Sequence, residues 1–564
     1  MAAGVQLWTN AISAEGCAGV NLKWTPVPAT ANSVRRSIRA TTRWRSSRSP
    51  RLPFLPESAL TPIMPQLTRR SFLKSTAVAT AGAVFTARSR SQVAGANSDI
   101  RLAIAGLNGR GREFISSFRA IPGVRLVALC DVDTAVLDKE IALARTRGDA
   151  PDRVVDFREL LPRTDIDAIA IATPNHQHAM QSIWAMQAGK DVVHEKPVTH
   201  NIWEGAQILA AAKKHQRIVQ VFTQNRSSLA IAEAIAWLKE GHLGKVTCVR
   251  GIVYKRRLSI GKTTGPVAPP ATVNYDMFQG PAPLVPLRRT NFHYDWHWQW
   301  ETGNGDMVAQ GNHQLDVGRR LLGDPGHPRG VYTVGGRFGY VDDGETPNTF
   351  IVHYDYPTPF IFEVRGLPAK PDAMSGNAVV AGGLGTADRL AASMDRYLDL
   401  NVGNIAHCEG GYLTIPAANY ALAQAFDRDG KLIREFKGFG NHHANFIDAM
   451  RSRRESDLKG PLLQGHLSSA LVHLANISYR TGRGMKSGDI RDQLTARSQL
   501  SEPYTRFTQH LAANEIDLEK TPATLGAPLS FDAATEKFTG ENSAAANKLR
   551  TREYRAPWIV PQLA

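Results

Sequence analysis

Three groups of residues in this chain have the types and spacing that chemistry needs. The first is Gly106-Leu107-Asn108-Gly109-Arg110-Gly111, with Asp131 twenty residues beyond the last glycine. Glycines here allow a tight turn and a close approach of the following helix to the strand. The N-terminus of that helix offers a pyrophosphate its free N–H groups and the positive end of its dipole. A carboxylate at Asp131 can hold both hydroxyls of an adenosine ribose and disfavours a 2′-phosphate, so the spacing predicts NAD rather than NADP. The middle glycine of the fingerprint is Asn108, which tolerates positive φ better than other non-glycine residues. Gly109 beside it gives further latitude. The second group is Glu195-Lys196-Pro197. A partly desolvated lysine at a strand end, next to a hydroxyl losing its proton, stabilises the developing alkoxide. The plainer alternative is a surface lysine paired with Glu195. The third group is Asp306, Ala309, His313 and Asp316, whose spacings of three and four put them on one face of a helix over 306–322. There the alternative is a buried, hydrogen-bonded histidine.

The elements that must position these groups are legible as periodicity. RLAIAGL (101–107), VRLVALCDVD (124–133), IDAIAIATP (166–174), DVVHEKP (191–197) and IVQVFT (218–223) read as buried parallel strands. Helical patterns over Arg112–Ala120, His176–Gly189 and Asn201–His215 alternate with them, which predicts a doubly wound parallel sheet of the Rossmann type over residues 98–222. From Val246 the pattern changes. VTCVRGIVY, GVYTVGGRFGY, NTFIVHYDY and PFIFEVRGL alternate like antiparallel strands with one wet face, and Asp427-Arg428-Asp429-Gly430 reads as a hairpin turn between two more. The predicted fold class is therefore α/β plus α+β, with a C-terminal, open, mostly antiparallel sheet domain over residues 223–485. Residues 366–408 read as an insertion. Residues 486–564 form an extension of mixed polarity that is expected to wrap a partner subunit, making the protein a homo-oligomer.

Two further features bear on ligands. Phe292, His293, Tyr294, Trp296, His297, Trp298 and Trp300 form a dense aromatic cluster, suited either to the C–H faces of a sugar or to packing. His293-x-Asp295-x-His297 would share a face on a strand, but no further ligand is placed with them, so no metal is expected.

The formal net charge of +16 is no nucleic-acid signal. Residues 1–96 hold 13 basic and 2 acidic side chains; the other 468 hold 54 and 49. Residues 64–96 join Arg69 and Arg70 to Phe72-Leu73, a mildly apolar run from Ala77 to Phe85, and Ala94-Gly95-Ala96. That combination resembles a twin-arginine export signal and predicts a periplasmic or otherwise exported protein that meets the twin-arginine machinery. Residues 1–63 are rich in Arg, Ser and Pro and read as disordered, or as translation begun too far upstream of Met64. Cys130, Cys248 and Cys408 lie far apart in the body with no CxxC spacing, which argues against a disulfide framework and a zinc ribbon. No apolar run there is long enough to span a membrane.

The order of the glycine turn, Thr173-Pro174-Asn175-His176-Gln177-His178 and Glu195-Lys196-Pro197 resembles the glucose–fructose oxidoreductase/inositol dehydrogenase (Gfo/Idh/MocA) family. The likeness runs through Gly241–Val246, Gly303–Arg319 and His443–Gly482, so it spans about residues 100–485. It implies that Gly106, Asn108, Gly109, Arg110, Gly111, Asp131, Thr173, Pro174, Asn175, His178, Glu195 and Lys196 hold the cofactor, with Asn175 and His178 at the nicotinamide end. Asn175 would alternatively cap the helix that follows it. The resemblance further implies that Lys196 bonds the reacting hydroxyl, that His313 is its acid/base partner, and that late helices return to the nucleotide domain. Many members carry an Asp where this chain has Ala309, so Asp306 or Asp316 is expected to substitute, Asp316 by orienting the His313 ring. Tyr254, Lys255 and Arg256 at a strand end are expected to face the substrate, with Gln224, Arg226 and Asp316 as further candidates. The activity implied is oxidation of a carbinol of a sugar, polyol or sugar derivative with NAD, held tightly because free NAD is scarce outside the cytoplasm. Two alternatives share these residues: an NAD-dependent glycoside hydrolase that oxidises its sugar transiently and eliminates the aglycone, and a non-catalytic sugar-binding protein.

Overall fold

A computed structural model describes residues 99–371, 393–418 and 420–564. The export segment 64–96 and the stretch 1–63 lie outside the described residues, as does most of 366–400.

The first sheet is built from β1 (Ile100–Ala105), β2 (Val124–Cys130), β3 (Asp152–Val154), β4 (Ala168–Ile171), β5 (Asp191–His194) and β6 (Val219–Val221), in the order β3-β2-β1-β4-β5-β6, all parallel. Its helices are α1 (Arg110–Arg119), α2 (Thr134–Thr146), α3 (His178–Gln187) and α4 (Ile202–His215). β4 and β5 are buried along their whole length, which is why their sequences are continuous apolar runs rather than alternating ones. The order reverses between β1 and β4. The crevice where such sheets take ligands therefore opens at the carboxyl ends of β1 and β4.

α5 (Leu229–Lys239) leads to β7 (Val246–Tyr254); α6 (Tyr275–Gln279), α7 (Asp306–Ala309) and α8 (Gly311–Leu321) follow. Then come β8 (Gly330–Gly336), β9 (Thr349–Tyr354), β10 (Phe360–Arg365), β11 (Val402–Cys408), β12 (Gly411–Pro416), β13 (Leu422–Asp427) and β14 (Leu432–Lys437). The chain continues through α9 (His442–Ser452), α10 (Leu462–Arg480), β15 (Arg483–Met485), α11 (Ser487–Leu494), α12 (Ser501–Ala513), β16 (Ala523–Leu525), β17 (Leu529–Asp532), β18 (Lys537–Thr539) and α13 (Ser543–Leu549). Their sheet runs β14-β13-β12-β11-β7-β10-β9-β8-β16-β15, with the β17–β18 hairpin also on β8. Among the described residues of this sheet, only β7 and β10 pair in parallel.

Two expectations are corrected here. Residues 402–408, inside the presumed insertion, are β11, a strand in the middle of the sheet between β7 and β12. The Gly, Asn and His in VGNIAHC hid its alternation. The sheet has no wet face at its centre: β8 and β10 are buried throughout. One face lies under α8 and α10; the other packs Tyr332, Val334, Ile351 and Ile361 against Ile490, Leu494, Tyr504, Phe507 and Leu511 of α11 and α12. The C-terminal extension thus packs on its own sheet. Its last stretch crosses to the nucleotide domain, where Trp558 lies tilted beside Trp184 of α3 and the Leu563 N–H bonds Gln207 of α4 at 2.6 Å.

The late helices do return to the first sheet. Phe446, Ile447 and Met450 of α9 share a core with Phe114 and Phe118 of α1, and α10 packs on α4 and β6. No helix among the described residues is long and apolar enough to cross a membrane.

Candidate active site

The glycine turn after β1 is built as its spacing requires, with one exchange of roles. Gly106 has φ +80° and lies so close to β4 that a Cβ would sit 2.6 Å from the Ala172 and Thr173 backbone. A Cβ on Gly111 would sit 1.9 Å from the Gly106 carbonyl oxygen. The positive φ is taken by Gly109 (+64°), not by Asn108, so the Asn departs from the fingerprint without strain. Gly109 precedes α1 with no side chain capping it, and nothing lies within 4 Å of where its Cβ would be. Uncapped N–H groups beside open space at a helix start are what a pyrophosphate needs, so the residues present fit a dinucleotide. Asp131, just past β2, accepts the Leu107 N–H at 2.7 Å and the Asp133 N–H at 2.9 Å. It steadies the turn and keeps lone pairs for a ribose.

Two loops face the turn from β4 and β5, and they are tied to it and to each other. Arg110 Nε donates to Glu195 Oε1 at 2.7 Å. His178 lies 2.7 Å from the carbonyl oxygens of both Thr173 and Pro197. Burial lowers its pKa despite those carbonyls. With each ring nitrogen beside a carbonyl, His178 braces the two loops. Thr173 Oγ1 bonds Gln181, and the Asn175 amide approaches Asn304 at 3.4 Å instead of capping α3.

Lys196 occupies the end of the β5 loop. Its Nζ donates to the carbonyl oxygens of Val308 (2.9 Å) and Ala309 (3.0 Å). These carbonyls are available because the helix expected over 306–322 breaks at Gln310, leaving α7 and α8 as separate pieces. Burial is the main reason the Lys196 pKa falls to about 8, with Arg110 and Arg257 adding to it against Glu195. His313, in the first turn of α8, is 9% exposed, and its Nδ1 is buried without a partner. Desolvation and then the charge of Lys196 hold it well below the usual imidazole range, so the ring is neutral.

The carboxylate of this site is Asp306. Arg257 holds its Oδ1 through Nε (2.8 Å) and Nη2 (2.7 Å), and Oδ2 is buried with no partner. Arg257 also lies over the Trp298 ring at 5.1 Å and donates to the Tyr294 hydroxyl at 3.1 Å. Lys255 stands accessible in the same cleft, 3.4 Å from Gln310 Oε1, with its pKa pulled to about 8 by desolvation and then by Arg257. Sequence reasoning missed Arg257. The signal was present: it lies two residues after Lys255, and the strand ladder continues there through Lys255 N–H to Arg365 and Arg257 N–H to Gly366.

Other expected site residues are elsewhere. Tyr254 points to the opposite face of the sheet, fully buried. Its hydroxyl donates to Glu363 at 2.8 Å and accepts from Arg506 of α12 at 2.8 Å. Arg226 and Asp316 form a buried pair behind α8, at 2.7 Å, completed by Asp324 and Ser468. Neither is free for a substrate, and Asp316 does not reach the His313 ring. In the aromatic cluster Phe292 is core, and His293 bonds Asp133 at 2.8 Å. Residues Asp295–Trp298 are a 3-10 turn, so the alternation that suggested a metal does not exist. Replacing Tyr254 by Phe removes one hydrogen bond from each of two charged groups, Glu363 and Arg506, which keep each other, Arg250 and Glu502 as partners. We expect about 1–3 kcal/mol of lost stability in urea unfolding and unchanged steady-state kinetics; impaired turnover at full stability would restore Tyr254 to the site.

Comparison with known proteins adds the following. Residues 100–223 match the model of an oxidoreductase family with an NAD-binding Rossmann fold, GFO_IDH_MocA, and residues 66–86 match the twin-arginine translocation pathway signal sequence. The chain is 29% identical over 177 residues to a "Glycosyl hydrolase family 109 protein" of Shewanella sp. (strain W3-18-1), covering 27% of this chain and 39% of that protein. It is 31% identical over 169 residues to a protein of the same name from Solibacter usitatus (strain Ellin6076), covering 27% and 38%. The match thus spans about two fifths of these relatives' length. Among solved structures, the WlbA dehydrogenase from Bordetella pertussis in complex with NADH and UDP-GlcNAcA aligns over 68% of this chain and 97% of its own, with 18% identity and a TM-score of 0.48.

Proposed function

We propose, from the premise that this chain carries the NAD-binding Rossmann fold of the GFO_IDH_MocA oxidoreductase family behind a twin-arginine export signal, that it oxidises a carbinol of a sugar, polyol or sugar derivative with NAD. The observation that carries the reading is the seating of Lys196. Two of the positions around its nitrogen are spent on the Val308 and Ala309 carbonyls. The third therefore holds a proton in the ammonium and a lone pair in the amine, and its direction is fixed by the other two. A bound nicotinamide supplies the acceptor for the hydride of the carbinol carbon. The Lys196 amine takes the hydroxyl proton, and as an ammonium it stabilises the oxygen in the return direction. Neutral His313 and Asp306 Oδ2, both unpartnered, orient the hydroxyls on either side. Lys255 binds a further substrate oxygen from β7. Asp131 favours NAD over NADP.

A second reading is favoured by the name the curated relatives carry and by the export signal. In it the nucleotide stays bound, the sugar is oxidised transiently, the aglycone is eliminated and the product is reduced again. Such a cycle needs no outside supply of NAD. The test is to purify the exported form, measure bound NAD, and incubate it with sugars and with aryl glycosides without added cofactor. Aglycone release with no net NADH selects the hydrolase; NADH formed in proportion to added NAD selects the dehydrogenase; a protein that neither contains nor takes up a pyridine nucleotide ends both.

The pH dependence has a definite sign. Lys196, with a pKa near 8, must be a free amine to accept a proton. Below that value kcat/KM for oxidation should rise about tenfold per pH unit and then level off, while the reverse reduction falls above it. A flat profile between pH 6 and 9 in Lys-intact enzyme would remove the lysine from proton transfer.

A further inference from the structure

Behind the cleft, three residues far apart in sequence meet in a buried cluster that the proposed chemistry does not use. His327 comes from the loop between α8 and β8, His466 from the first turns of α10, and Glu536 from the turn joining β17 to β18. Glu536 Oε1 lies 2.9 Å from His327 Nε2 and 2.6 Å from His466 Nε2. One ligand atom of each lies within 4.8 Å of the other two. The two histidine side chains are 4% and 2% exposed and the carboxylate 18%. As a purely hydrogen-bonded group this is poorly satisfied. One carboxylate oxygen serves both rings, while Nδ1 of each ring is buried without a partner.

We propose that His327, His466 and Glu536 form a divalent-metal site, best suited to Zn²⁺, that fastens the β17–β18 hairpin to α10. Two imidazole nitrogens and one carboxylate oxygen are a ligand set that zinc accepts, with a fourth position for water on the less buried side of Glu536. Binding through both Nε2 atoms requires that any ring proton sit on Nδ1. With metal–ligand bonds of about 2.0–2.1 Å, tetrahedral ligands stand ~3.3 Å apart, so Glu536 Oε1 has to draw back by about 0.4 Å from His327 Nε2 and about 0.7 Å from His466 Nε2. The rings are also fixed from behind. The His466 ring lies against Gly205 of α4, where a Cβ would sit 2.0 Å from it. The next residues of α10 reach the active site's supports: Ser468 bonds Asp316 under α8, and Ser469 accepts the Val198 N–H just past Lys196. The site would thus fix the helix that underlies both the lysine loop and the histidine helix.

The test uses the full mature chain stripped with EDTA. Titration with Zn²⁺ by calorimetry should show one ion per chain, and Co²⁺ should give the strong visible absorption of a tetrahedral site. Zn²⁺ should also raise the thermal midpoint. In Glu536→Gln, which keeps an oxygen to accept the ring N–H groups, Zn²⁺ affinity should fall at least about tenfold and the Co²⁺ spectrum should be lost. Absence of stoichiometric Zn²⁺ and Co²⁺ binding by the stripped wild-type chain overturns the proposal, as does binding that survives unchanged in both Glu536→Gln and His327→Ala.

Discussion

Replacing Lys196 by Met should lower kcat by about 10³-fold while leaving bound NAD in place, because a preorganised donor and proton acceptor at the reacting oxygen contributes on that scale. The side chains are of similar length, so the substitution removes the nitrogen and keeps most of the packing. It also leaves the Val308 and Ala309 carbonyls without their donor. A buried carbonyl left so costs about 1–3 kcal/mol, so the midpoint of urea unfolding must be measured beside the rate. Lys196→Arg separates the two effects. A guanidinium can restore hydrogen bonds to the carbonyls, yet its pKa above about 12 prevents it from working as a base near neutrality. Stability recovered without activity is the expected pattern. Turnover within about tenfold of wild type in the Met variant would show that the proton is handled elsewhere.

The second large effect is expected at Gly111. Its missing Cβ is the space in which the Gly106 carbonyl sits, so even Gly111→Ala has to push the turn away from the start of α1. Overpacking of this kind usually costs about 1–3 kcal/mol, and the displaced turn no longer presents its N–H groups to a pyrophosphate. Purified Gly111→Ala should hold less than about a tenth of the wild-type NAD, read by absorbance after acid release. Gly109→Ala serves as the contrast. Its Cβ meets nothing, so the cost to its fold should come from the backbone alone: φ +64° with ψ −106° is a conformation that L residues rarely adopt, at about 1–3 kcal/mol. A Gly111→Ala protein with full nucleotide content would mean that the cofactor, if any, binds elsewhere.

How much of this was readable in advance follows from which interactions are local. The strands of the first sheet are continuous apolar runs bounded by glycine turns, and their order along the chain forces a parallel sheet. Gly106 and Gly111 are distinguished by spacing alone. Which of two adjacent residues, Asn108 or Gly109, takes the positive φ leaves no trace in composition. Along β7 the alternation is evident, but its phase is not. Lys255 and Arg257 face the cleft and Tyr254 faces α12, a choice made by Asp306 49 residues after Arg257 and by Arg506 252 residues after Tyr254. Arg226 and Asp316 looked like exposed candidates because charged residues usually are; each is buried because the other is present. The break at Gln310 was invisible for the same reason. The carbonyls it frees are satisfied by Lys196, which comes from another domain.

The final stretch of the chain has a kinetic meaning. Arg552 bonds the Glu301 carbonyl, Arg555 reaches Asp276 and Gly280, Tyr554 bonds Glu204, and the Ala564 N–H ends on Gln207. It works as a strap joining α4 to the loops that carry the aromatic cluster. Two lobes laced together in this way should open rarely, and the expected result is a slow release of any dinucleotide bound between them. Under those conditions a reaction that returns its electrons before the lobes part keeps its pace, whereas one that must exchange its carrier on every turnover is throttled by the off-rate.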